Sequence, residues 1–170
     1  MKAEELVLRA LEPEDIDLLY QWENNIEIWE VSNTLTPFSK HQLKTYIEQA
    51  QLDVFQTKQL RLIIELETSK QVIGMIDLFD FDAFHQRAGI GIIIHKDYRQ
   101  QGYAYEALML FINYCFNNLA LKQVYANISE KNIASIQLFE KAGFELVGIK
   151  KAWRKTSKGF EDERLYQCLR

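Results

Sequence analysis

Tyr98-Arg99-Gln100-Gln101-Gly102-Tyr103-Ala104 joins two segments of opposite character. Upstream, Gly89-Ile90-Gly91-Ile92-Ile93-Ile94 is a short continuous apolar run, the pattern of a strand buried on both faces. Downstream, Ala104, Ala107, Leu108, Phe111, Ile112, Cys115 and Phe116 recur at helical spacing, so they form the apolar stripe of an amphipathic helix. The first turn of such a helix carries free N–H groups and the positive end of the dipole, which together attract an anion. Gly102 removes a Cβ where a ligand would approach the backbone. Ala104 is small, and Arg99 adds a cation that can face phosphate. A diphosphate held there would rest mainly on main-chain donors, each charge-assisted bond contributing about 1.5–3 kcal/mol. Gly89-Ile90-Gly91 lacks the third glycine and the acid of a dinucleotide-binding motif. It reads instead as a bulge or a close backbone approach in the strand.

Working outward, Leu6-Val7-Leu8 reads as a first strand, and Pro13, Glu14 and Asp15 suit the first turn of a helix. Ser39 and Gln42 form a capping box that opens a second helix running to about Phe55. Leu60 to Leu66 and Val72 to Phe79 read as a hairpin across Thr68-Ser69-Lys70, and Asp80 to Gln86 as a loop. A strand at Gln123 to Ile128 precedes a helix from Ile133 to Ala142, with Asn132 as its N-cap and Gly143 just past its end. Glu145 to Ile149 and Leu165 to Leu169 are strand-like, with Gly159 in the loop between them. The order gives a mixed α/β (α+β) arrangement on a single sheet, in one domain spanning residues 1–170.

Composition narrows the function. With 48% hydrophobic and 26% charged residues, the chain is of ordinary globular type. A net charge of −4 argues against nucleic acid as a partner, since phosphate affinity needs clustered Lys and Arg. The basic stretch Lys150 to Lys155 reads as a solvated loop. Cys115 and Cys168 have neither metal-ligand spacing nor a disulfide pattern, so no metal is expected. The first residues lack the apolar core of a signal peptide, and no run approaches the roughly 20 apolar residues of a membrane span. A cytoplasmic protein with no membrane partner is expected.

The chain resembles the GNAT superfamily of acetyl-CoA-dependent N-acetyltransferases. Arg99, Gly102 and Ala104 meet its [QR]-x-x-G-x-[GA] signature, and Asn132, Ser135, Phe139, Glu140, Lys141, Gly143 and Phe144 meet a second one downstream. Within that superfamily it most resembles the branch that holds the spermidine-type and the ribosomal-protein N-terminal acetyltransferases. The resemblance implies a mostly antiparallel central sheet of about six to seven strands flanked by about four helices, with the fourth strand splayed from the fifth. It also implies acetyl-CoA as co-substrate. On this sequence the cofactor residues would be Ile92, Ile93 and Ile94 for pantetheine, Arg99, Gln100, Gln101, Gly102, Tyr103 and Ala104 for pyrophosphate, with Asn132, Ser135, Phe139 and Lys141 completing the site. The Asn132 side chain also reads as a plain helix cap. Relatives are often dimers, which implies a homodimer here.

Two familiar groups are missing. Many relatives have Tyr, the usual general acid, where this chain has Phe139, and the spermidine-type enzymes carry a Glu near Gly89. Transfer to an amine needs the amine neutral, but the thioester is already activated and positioning alone supplies several kcal/mol. Candidates for a base or proton donor are Asp77, Glu30 and Tyr105. For the acceptor they are Glu30, Asp80 and Asp82, because acids interleaved with aromatics suit a cationic amine. His85 and His95 read as structural or exposed. The acceptor could be a polyamine or other small amine, or a protein N-terminus. The competing readings are a module that binds acyl-CoA or a polyamine with little turnover, and an unrelated nucleotide-binding α/β protein with a parallel sheet.

Overall fold

The computed structural model describes residues 1, 5–26, 28–29, 34–50 and 52–170. Its strands are β1 (Leu6–Ala10), β2 (Leu60–Leu66), β3 (Val72–Asp82), β4 (Arg87–Ile94), β5 (Gln123–Ser129), β6 (Glu145–Thr156) and β7 (Gly159–Leu169). They form one seven-stranded sheet in the order β1-β2-β3-β4-β5-β7-β6. Every neighbouring pair is antiparallel except β4 with β5. This rules out the parallel sheet of the nucleotide-binding alternative. The α-helices bounded within the described residues are α1 (Ile16–Glu23), α2 (Lys40–Gln49), α3 (Val54–Thr57), α4 (Tyr103–Asn117) and α5 (Ile133–Lys141).

The two faces of the sheet bury separate cores. On one face α4 and α5 pack through Leu108, Phe111, Ile112, Ile136 and Phe139 onto Leu8, Ile64, Ile76, Ile90, Val124 and Tyr166. On the other face α1 and α2 pack through Leu19, Trp22, Leu43 and Ile47 onto Ile63 and Met75. Burying a side chain such as Phe111 or Leu19 contributes about 1.5–3 kcal/mol. Strand alternation assigns the sides: Val124, Ala126 and Ile128 face α4 and α5, which leaves Gln123, Tyr125, Asn127 and Ser129 on the opposite face.

Several boundaries differ from the sequence reading. The second helix stops at Gln49, and Asp53 caps the separate turn α3 through a 3.0 Å bond from the Gln56 amide. β3 continues to Asp82 through a bulge between Phe79 and Asp82, where the sequence suggested a loop. β6 and β7 run much further than Ile149 and Leu165, so Lys150 to Lys155 lies in a strand rather than a loop. Apolar alternation is absent there. Cross-strand charges take its place: Lys150–Glu163 at 3.0 Å, Lys151–Asp162 at 2.6 Å and Arg154–Glu161 at 3.6 Å. Such pairs support a sheet as apolar ones do, but they leave no hydrophobic period to read.

Candidate active site

β4 and β5 pair at only three positions, Arg87 with Gln123, Ala88 with Val124 and Gly89 with Tyr125. Beyond Gly89 the strands part. Gly91 to Ile94 remain bonded to β3 on their other side, so one backbone edge of β4 faces a gap. The side chains of Ile90 and Ile94 lock into the core under α4 and α5, while Ile93 packs toward α1 and α2. The bond from the His95 amide to the Ile73 carbonyl sets the phase of the ladder: Ile93 turns its main chain to β3, while Ile92 and Ile94 turn theirs to the gap.

The gap opens toward the loop that the sequence singled out. Gln100 and Gly102 both take left-handed backbone, at φ 62° and 90°. Holding Gln100 there costs about 1 kcal/mol or more. The first internal bonds of α4 run from Tyr105 and Glu106 to the Gly102 carbonyl. Among the described residues, the amides of Gln100, Gln101, Gly102, Tyr103 and Ala104 have no hydrogen-bond acceptor. Five consecutive donors at a helix N-terminus form an anion cradle. A Cβ built on Gly102 meets nothing within 4 Å. Glycine is thus required within the protein for its backbone angle, not to relieve crowding. Arg99 donates from Nε to the Ile94 carbonyl at 2.9 Å, which ties the loop to the end of β4, and Gln101 braces the loop through the Asp97 carbonyl at 3.0 Å.

On α5, Asn132 accepts from the Ser135 amide at 3.1 Å. It is a helix cap, and its Nδ2 has no partner among the described residues. Lys141 lies over the Tyr105 ring at 4.5 Å, which brings a cation to the first turn of α4 and occupies the face of Tyr105. Phe139 is 2% exposed and edge-on to Phe144 at 4.9 Å. Its ring belongs to the core and lines no open surface.

The acidic candidates separate clearly. Glu30 lies outside the described residues. Asp77 is gripped by Arg61 through two bonds, at 2.6 and 2.9 Å. The same guanidinium binds Glu23 and lies 5.4 Å from the Tyr46 ring centre. Asp82 accepts from the His85 amide at 2.9 Å and pairs with the His85 ring at 2.8 Å. Those bonds from His85 hold its carboxyl down at about 2. Asp82 is therefore a turn residue whose oxygens are in use. Asp80 is strained at φ 51° in the β3 bulge and accepts from the Tyr125 hydroxyl at 3.1 Å. Burial first, and then Asp80, pushes the Tyr125 phenol up to about 12, so it stays protonated. The sequence reading passed over Tyr125, Arg61 and Glu23. Alternation of Tyr125 with Val124 and Ala126 was the available signal. A Cβ on Gly89 would lie 2.2 Å from the Phe79 ring, which explains why no glutamate stands at that position.

A sheet forked between its one parallel pair, above a loop of free amides, agrees with the comparison by sequence. The acetyltransferase (GNAT) domain family matches residues 5–145. The chain belongs to the GNAT acetyltransferases. The enzyme is 30% identical over 142 residues to an uncharacterised prophage-derived N-acetyltransferase of Bacillus subtilis, covering 83% of this chain and 76% of that one. It is 26% identical over 149 residues to the spermidine N(1)-acetyltransferase of Escherichia coli, covering 86% and 76%. The same fold recurs in the crystal structure of spermidine N-acetyltransferase from Vibrio cholerae in complex with CoA and spermine. There the TM-score is 0.89 at 23% identity, over 98% of this chain and 96% of that one. The protein is accordingly an N-acetyltransferase.

Proposed function

We propose that this N-acetyltransferase moves the acetyl group of acetyl-CoA to a primary amine of a small cationic acceptor, a polyamine or similar amine, by direct attack in a ternary complex. The observation that carries this reading is the unpaired edge of β4 leading up to five amides that have no acceptor among the described residues. Pyrophosphate sits against Gln100 to Ala104, with Arg99 and Lys141 as flanking cations. The pantetheine arm lies along Ile92 to Ile94, where a main-chain N–H also meets the oxyanion that forms during attack. Asn132 Nδ2 donates to the cofactor while its oxygen caps α5. Asp80, and Asp77 with Glu23, supply the negative field for the amine. Two carboxylates share the single charge of Arg61, which leaves one negative charge in excess.

The experiment is thiol release from acetyl-CoA against a panel of amines: spermidine, diaminoalkanes, a monoamine and a peptide with a free N-terminus. Turnover with the cationic small amines is expected. Tight binding of acetyl-CoA without turnover on any amine would replace the enzyme reading with that of a binding module. A homodimer is part of the proposal. Leu146, Val147, Ile149, Trp153 and Phe160 leave an exposed apolar surface on β6 and β7, and light scattering reads the assembly directly.

A further inference from the structure

The face of β5 opposite α4 and α5 carries Gln123, Tyr125, Asn127 and Ser129, and among the described residues each of their side-chain oxygens accepts a hydrogen bond, with one exception. The Gln123 oxygen accepts from Gln167. Asn127 accepts from Lys150 at 2.8 Å. Ser129 donates to Glu161 at 2.8 Å and accepts from the Lys131 amide at 3.3 Å. On the facing strands, Glu163 takes Lys150, Glu161 takes Lys131, and Asp77 takes Arg61. The hydroxyl of Tyr125 donates to Asp80, and among the described residues its oxygen accepts from nothing.

Tyr125 is also the residue at which the fork begins, because Gly89–Tyr125 is the last pair that joins β4 to β5. Its ring stands edge-on to Phe79 at 6.0 Å, and Phe79 in turn covers Gly89. The bulge in β3 turns Asp80 toward the hydroxyl, as bulges commonly re-aim a side chain beside a site. Donation to Asp80 fixes the rotor, so the lone pairs of the oxygen point away from that carboxylate.

The geometry points to Tyr125 as the residue that receives an N–H of the acceptor amine, with Asp80 as a positioning residue that sets the direction of the hydroxyl. The inference rests on the amine-acetyltransferase reading above. A neutral amine attacks with its lone pair and has N–H bonds left to place. An acceptor for one of them, at the closed end of the fork, turns the lone pair toward a thioester in the gap. Asp80 adds the negative charge that draws the ammonium form to the same place.

The test uses the full chain with spermidine or whichever panel amine the wild type acetylates fastest. Tyr125→Phe keeps the ring and its packing on Phe79. It should lower kcat/KM for the amine about tenfold, the cost of leaving a hydrogen bond unmade, while the KM for acetyl-CoA and the melting temperature stay near wild type. Asp80→Ala should lower kcat/KM for the amine about threefold. Added to Tyr125→Phe, it should bring a smaller further loss than it does alone, since the part that acts through the hydroxyl is already gone and only the charge effect is left. Unchanged amine kinetics in Tyr125→Phe would overturn the assignment and leave the acetyltransferase reading standing, as would a fully additive double variant. Absence of wild-type turnover on every amine would remove both.

Discussion

At the open end of the fork, the loop from Gln100 to Ala104 offers five main-chain donors that have no acceptor among the described residues. At the closed end, the groups that can meet an acceptor are the side chains of Asp77, Asp80 and Tyr125, each already tied to a neighbour. The first end depends on backbone conformation and tolerates many side chains around one glycine. The second depends on side-chain identity and on ion pairs contributed by α1, β2 and β3. A ligand shared by a whole family, such as a coenzyme, is well matched to the first kind of site. A ligand that differs between members is matched to the second, because changing it requires only changes of side chain.

This contrast can be broken by experiment. The largest effect is expected from Arg61→Leu, which leaves Glu23 and Asp77 with no counter-charge in a largely buried setting. Removing one partner of such a cluster costs about 3–5 kcal/mol, and thermal or urea unfolding would show it. A loss below 1 kcal/mol would mean that the cluster is solvated. Gly102→Glu comes next. A side chain at φ 90° is strained, and the new carboxylate faces phosphate, so acetyl-CoA should bind at least about 100-fold more weakly, or roughly 2.7 kcal/mol. Calorimetric affinity within threefold of wild type would move the pyrophosphate elsewhere.

Phe139→Tyr sharpens the comparison from the core. With the ring 2% exposed against Phe144, the added hydroxyl is buried without a partner. Stability should fall by about 1–3 kcal/mol with no gain in kcat. A rate increase would show that the ring reaches the gap. The smallest effect is at Asp82. Its carboxyl is depressed from 3.8 to about 2 by bonds from His85, so its stabilisation of the turn is present above about 4 and is lost as pH falls through about 2. Asp82→Asn keeps an oxygen for the His85 amide but carries no charge, so the protection of that amide in hydrogen exchange should become independent of pH over this range, with activity near wild type.

The legible parts of the molecule were those in which local chemistry and periodicity coincide. The stripe on α4, the capping box at Ser39, the Asn132 cap and the glycine loop each signal themselves within a few residues. β6 did not, because its stability comes from Lys and Arg paired with acids on β7 some ten residues away in sequence. Asp77 and Asp82 looked like free acids because nothing local marks Arg61 as the partner of the first, and the cap on His85 is one of several roles open to the second. Tyr125 was hidden for the same reason, since its partner Asp80 lies 45 residues away.

Trp22 of α1 stacks on His95 with ring centres 5.7 Å apart and planes 23° from parallel. His95 follows directly on β4, a few residues before the cradle. Indole emission responds to an imidazole in contact with it, so the molecule carries its own fluorophore where α1 meets the end of β4. With Trp29 and Trp153, the other two tryptophans of the chain, replaced by Phe, occupancy of the cradle should be readable without label or coupled assay as a change in the light from Trp22.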